Sequence, residues 1–102
     1  MAKCKITVLK RTVHQDLIDE YLKEGIAEQM GPCDRFEDDQ VFTLDDSLAP
    51  PEGFCAWAWA DIRSSVLAIM FGGNLPWVKP GVNITCCTDG CRPVVFKVER
   101  VD

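Results

Sequence analysis

Hydrophobic and polar residues alternate from Lys3 to Lys10, with Cys4, Ile6 and Val8 on one side and Lys3, Lys5 and Thr7 on the other. A period of two predicts a half-buried strand. The period then lengthens. Leu17, Ile18, Tyr21 and Leu22 recur at helical spacing, and Thr12 precedes Gln15 by the interval of a capping box. A short helix is predicted from His14 to Glu24, stopped by Gly25, with Ile26 to Met30 able to extend it. Gly31-Pro32-Cys33 reads as a turn. Within the acidic stretch from Asp34 to Asp46, Val41, Phe42, Thr43 and Leu44 form the expected second strand, and Asp45 to Pro51 a loop.

The longest apolar run lies between Gly53 and Gly73. Pro50 and Pro51 precede it and two glycines close it, which suits a helix start and a helix stop. As a helix, Phe54 to Phe71 would measure roughly 27 Å. Phe54, Ala58, Ile62, Val66, Ile69 and Met70 share a broad face, while Asp61, Ser64, Ser65 and Ala68 fall near one line with Arg63 beside it. A helix so apolar over most of its surface is expected to be buried on more than one side. Asp61 and Arg63 interrupt the run short of the roughly 18 to 20 clean residues of a membrane span, so no membrane partner is expected.

After a loop holding Pro76, Trp77 and Pro80, the chain returns to alternation. Val82 to Cys87 and Val94 to Val101 read as the arms of a hairpin, with Asp89-Gly90 as its turn. The order is β-α-β-α-β-β. The expectation is one α+β domain, residues 1–102, in which a small, mostly antiparallel sheet or partial barrel packs around a buried central helix at about 52–72.

Composition narrows the chemistry. With 102 residues and 47% hydrophobic content the chain can build one modest core. A net charge of −5 argues against nucleic acid, whose recognition rests on Lys and Arg against phosphate. The opening residues Met-Ala-Lys-Cys-Lys-Ile-Thr-Val carry no apolar signal core, which leads to the expectation of a cytoplasmic protein. Six cysteines in such a setting lean toward metal or redox work rather than disulfides.

The cysteines are not equivalent. Cys55 falls at the start of the central helix, where unpaired N–H groups favour negative charge, though a small buried hydrophobe is an equal reading. Cys33 sits in a Gly-Pro turn that can aim a side chain inward. Cys86 and Cys87 are adjacent at a strand end, so they point to opposite faces and only one can easily join a given site. Cys91 reads as incidental and Cys4 as core. None forms a C-x-x-C pair, so zinc-ribbon and ferredoxin spacings are absent. His14, the single histidine, reads as a cap or a solvated side chain. The acidic run through Asp38, Asp39, Asp45 and Asp46 lacks the calcium-loop pattern and reads as solvated surface. Trp57 and Trp59, two apart, lie on different helix faces; one can pack in the core and the other face a partner.

The strings Gly31-Pro32-Cys33, Pro51-Glu52-Gly53-Phe54-Cys55-Ala56-Trp57-Ala58-Trp59-Ala60-Asp61-Ile62, Met70-Phe71-Gly72-Gly73 and Cys86-Cys87-Thr88-Asp89-Gly90-Cys91-Arg92-Pro93-Val94-Val95-Phe96-Lys97 together resemble a family of small prokaryotic proteins common in anaerobic bacteria and archaea. The family carries no established activity. The resemblance implies a preferred cysteine set that matches Cys33, Cys55 and Cys87, with Cys86 a frequent addition. It also implies a histidine-containing string after the first cysteine, where this chain has Asp34-Arg35-Phe36.

The resulting expectation is a small cytoplasmic protein with a thiolate-held iron–sulfur cluster or zinc. Its ligands would be Cys33, Cys55 and Cys87, Cys86 would be a possible fourth, and Arg35 or Arg92 would offset the charge. The alternatives are an accessory interaction subunit with reduced cysteines and no metal, or a thiol redox protein. A protein partner or a second copy of the chain is expected in each case; an enzyme is the less favoured outcome.

Overall fold

The computed structural model describes residues 3–45 and 47–101. Asp46, placed in the acidic run above, lies outside them. Four strands, β1 (Cys4–Arg11), β2 (Val41–Leu44), β3 (Val82–Cys86) and β4 (Val94–Arg100), form one open antiparallel sheet in the order β2-β1-β4-β3. Helix α1 (Gln15–Tyr21) follows β1, and helix α2 (Ala56–Met70) joins the two sheet edges. The α+β order read from the sequence is the one observed.

The alternation in β1 does what its period dictates. Cys4, Ile6 and Val8 are buried together with Phe42 and Leu44 of β2 and Val94, Phe96 and Val98 of β4. Cys4 stands opposite Leu44 on one side and Arg100 on the other, which sets the register across the sheet centre. Helix α2 lays Ala58, Ile62, Val66, Ile69 and Met70 on this apolar face. The expected burial on several sides is not found. Trp57, Arg63, Ser64 and Phe71 are exposed, because a single open sheet covers one helix face only. Of the two expected arrangements, the antiparallel sheet is the one formed; β2 and β3 both remain edges, so it does not close toward a barrel.

The helix is also shorter than expected, Ala56–Met70 rather than about 52–72, with Cys55 as its extended N-cap residue. Its stop follows the glycine pair. Gly72 has φ 97°, its N–H donates to the Ile69 carbonyl, and the Gly73 N–H donates to the Ala68 carbonyl. These are the two bonds of a Schellman stop. Arg100 reinforces it from β4, donating through Nη1 to the carbonyls of Ile69 (2.7 Å) and Gly73 (3.1 Å). Among the described residues no helix is long and apolar enough to cross a membrane.

Two local expectations fail for tertiary reasons. The capping box does not form: the Thr12 hydroxyl donates instead to the Pro93 carbonyl, His14 becomes the N-cap residue, and α1 ends at Tyr21. The hairpin turn is not Asp89-Gly90 alone. Residues 87–93 form a longer loop, closed by the Cys87 N–H donating to the Val94 carbonyl.

Candidate functional site

A cleft of about 210 Å³ opens at the N-terminal end of α2. Cys33, Cys55 and Cys87 all line it, with Phe36, Ala58 and Val94 forming its apolar part. Arg35, Arg92, Asp34, Asp89 and Trp57 complete the wall. Three sequence strings far apart in the chain therefore meet at one place. Each of the three cysteines is partly buried against the core.

Phe36, in the wall of the cleft, belongs to an aromatic cluster in the core behind it. Phe36, Phe42, Phe54 and Phe96 contact one another with ring centroids 4.9 to 6.0 Å apart, mostly edge to face. Such pairs prefer this geometry and add about 0.5–1.5 kcal/mol beyond their buried area. Phe36 anchors the Cys33 loop and Phe54 anchors the approach to Cys55, so burial of the rings brings their neighbouring thiols to the cleft.

Polar clamps fix the two loops. Arg11, at the end of β1, donates through Nη1 to the carbonyls of Cys33 (2.9 Å) and Phe36 (3.1 Å) and through Nε to Asp38 (3.0 Å). On the other side, Asp61 of α2 accepts from the Thr88 backbone N–H and hydroxyl, and the Trp57 indole N–H donates to the same hydroxyl oxygen at 2.7 Å. Asp89 turns the loop by accepting from the N–H groups of Cys91 and Arg92, and pairs with the Arg92 guanidinium at 3.6 Å. The Val94 N–H donates to Cys87 Sγ at 3.3 Å, which fixes that sulfur. Arg11, Thr88 and the clamping role of Asp61 were not singled out from the sequence. The signal for Asp61 was present: a carboxylate in a largely apolar helix needs a partner.

The other candidates fall elsewhere. Cys86 is exposed on the opposite side of its strand and outside the cleft, which follows from the alternation that sends Cys87 inward. Cys4 is fully buried in the core, and burial pushes its thiol pKa up to about 11. Cys91 does not line the cleft. His14 is exposed and makes no side-chain cap. Trp59 packs against the core while Trp57 remains 56% exposed, the division expected from their spacing. All six cysteines are free thiols. Among the described residues no group of three or more His, Cys, Asp or Glu side chains is arranged to hold a metal ion.

Comparison with known proteins gives one relationship. An alignment of 53 residues, 46% of this chain and 78% of the relative, is 42% identical to Long neurotoxin 1 of Aspidelaps scutatus. Over that stretch the chain belongs to the long-neurotoxin family. The likeness points to a secreted, toxin-like protein, and so overturns both the cytoplasmic location and the intracellular metal or iron–sulfur protein expected from the sequence. The opening residues and the six cysteines suggested a reducing compartment, and the long-neurotoxin likeness runs against it. No family model matches the chain. No solved structure matches it either.

Proposed function

We propose that this chain is a secreted protein-binding module whose contact site is the rim of the cysteine-lined cleft. The observation that carries the proposal is Trp57, a large aromatic side chain left 56% exposed yet held in place by its indole N–H on Thr88. Aromatic anchors that are rigid before binding lose little freedom on contact, and Trp and Arg dominate the energetic centres of protein interfaces. Arg35 and Arg92 flank the same opening. Among the described residues Arg35 forms no ion pair, whereas Arg92 is engaged by Asp89. On a chain of net charge −5, an unpaired guanidinium beside an indole favours a partner that offers a carboxylate next to an apolar side chain.

The test is selection of displayed peptides on the immobilised chain, followed by affinity measurement on synthetic versions of the winners. Winners should combine an acidic residue with an aromatic or aliphatic neighbour. Trp57→Ala should weaken them about tenfold or more, and Arg35→Glu severalfold, with circular dichroism unchanged. Binding indifferent to both substitutions would remove the cleft rim as the contact site.

A further inference from the structure

One border of the sheet, β3, presents backbone groups with no partner. The Arg100 N–H donates to the Gly81 carbonyl, and the Cys87 N–H to the Val94 carbonyl. Bonded pairs recur at every second residue of an antiparallel ladder, so Asn83 and Thr85 turn their backbone groups toward Val98 and Phe96 of β4. Val82, Ile84 and Cys86 turn theirs outward. The Val82 N–H donates to the Lys79 carbonyl at 3.3 Å. Among the described residues, no hydrogen bond engages the outward N–H and C=O of Ile84 and Cys86 or the carbonyl of Val82. The side chains of these three residues leave by the solvent face, because Asn83 between them is buried on Ser65.

The two edges of the sheet differ in charge. Proteins blunt exposed edges with charged side chains, prolines or bulges. At β2, exposed Asp39 precedes the strand and exposed Asp45 follows it. A second β2 laid antiparallel against the first would bring these carboxylates together, on chains of net charge −5 each. β3, Val-Asn-Ile-Thr-Cys, has no charge and no proline, and its register against β4 is unbroken.

We infer that β3 pairs with β3 of a second copy, antiparallel about a twofold axis at Ile84, so that two four-stranded sheets become one. About that axis the edge is its own complement, as an isologous dimer requires. Each Ile84 exchanges N–H and C=O with its copy, and each Cys86 N–H meets the Val82 carbonyl of the other chain. On the solvent face Ile84 stands opposite itself and Cys86 opposite Val82, so apolar side chains meet. The adjoining charges, Lys97 beside Ile84 and Glu99 beside Val82, lie one strand back and pair with each other at 3.4 Å. No like charges face each other at the seam. None of Val82, Ile84 and Cys86 lines the cleft, so this surface is separate from the rim around Trp57. Five residues of strand bury less than the roughly 1,200 Å² at which standard stable interfaces begin, so the dimer is weak and depends on concentration.

The experiment is sedimentation velocity of the full chain from about 10 µM to 1 mM, the range of weak interfaces, in reducing agent so that only non-covalent pairing is read. A monomer–dimer equilibrium is expected within that range. The Ile84 and Cys86 amides should gain hydrogen-exchange protection as concentration rises, while those of β2 do not. Ile84→Pro removes an N–H that β4 does not use, and Ile84→Lys sets two ammonium groups opposite one another. Each should weaken the dimer about tenfold or more, with the circular dichroism of the monomer unchanged. If Ile84→Pro unfolds the chain, Ile84→Lys decides. Thr43→Lys, on the other edge, should leave the dimer as it was. A chain that stays monomeric throughout overturns the assignment, including one whose β3 amides are protected only by an added foreign peptide. A dimer that ignores Ile84→Lys, or that Thr43→Lys dissolves, overturns it as well.

Discussion

Asp61 and Thr88 lie 27 positions apart in the chain, and the carboxylate of the first accepts both the backbone N–H (2.7 Å) and the hydroxyl (3.0 Å) of the second. One side chain of α2 thereby determines where the β3–β4 loop sits, and with it Cys87. Hydrogen bonds to a charged group contribute about 1.5–3 kcal/mol each when well shielded, and less at a partly solvated site such as this one. Asp61→Ala is expected to lower the unfolding free energy by about 1–2 kcal/mol in urea titration, and Asp61→Asn by less. The more specific readout is hydrogen exchange. The Thr88 amide should lose protection in Asp61→Ala while amides in the centre of β1 keep theirs; equal protection in both proteins would show that the clamp does not hold the loop.

The helix stop gives a second prediction because its two glycines are needed for different reasons. Gly72 has φ 97°, with nothing within 4 Å of where a Cβ would stand. Gly72→Ala therefore meets only backbone strain, about 1–2 kcal/mol. Gly73 does not have a left-handed φ, but a Cβ there would lie 2.6 Å from the Ala68 carbonyl oxygen. That oxygen accepts the Gly73 N–H at 2.8 Å, so it can move only by giving up the closing bond. Gly73→Ala should cost more than Gly72→Ala, on the order of 2–3 kcal/mol once the bond is included. Thermal or urea unfolding of the two variants side by side decides it, and the reverse order would mean that the terminal bond contributes little.

These two cases also mark what could be read from the chain alone. The glycine pair, the alternation of Cys4, Ile6 and Val8, and the apolar face of α2 are local patterns, and each produced the expected structure. The failures come from partners distant in sequence. Thr12 gives its hydroxyl to Pro93 rather than to its own helix, and Asp89-Gly90 is absorbed into a longer loop that Asp61 draws toward α2. Cys33, Cys55 and Cys87, read from the sequence at a turn, a helix start and a strand end, line one cleft, and Phe36 and Phe54 are apolar enough to pull the adjoining backbone onto the core. Arg11 was not legible. Nothing near residue 11 shows that its guanidinium will bridge two carbonyls and a carboxylate 22 to 27 positions away. Nor does the pattern of one helix show how many of its faces a sheet will cover, and α2 was expected to be more deeply enclosed than it is.

Cys4 supplies a prediction on pH. Burial in the core raises its thiol from 9.0 to about 11, since the thiolate would have to exist without water. The sign follows from where protons leave. Below pH 9 the thiol is protonated in both states and the core keeps its full stability. Between pH 9 and about 11 the unfolded chain ionises at Cys4 and the folded chain does not, so each rise in pH favours unfolding. The loss attributable to this thiol should be on the order of 1–2 kcal/mol by the top of that window. The measurement is a difference against a chain that lacks this thiol. Urea unfolding at pH 8 and pH 10.5 should show a steeper decline for the parent chain than for Cys4→Ala, which lacks the thiol and begins less stable because of the cavity it leaves. Cys4→Ala declining as steeply as the parent would show that the thiol ionises equally easily in both states. That would contradict a Cys4 sealed between Leu44 and Arg100 in the middle of the sheet.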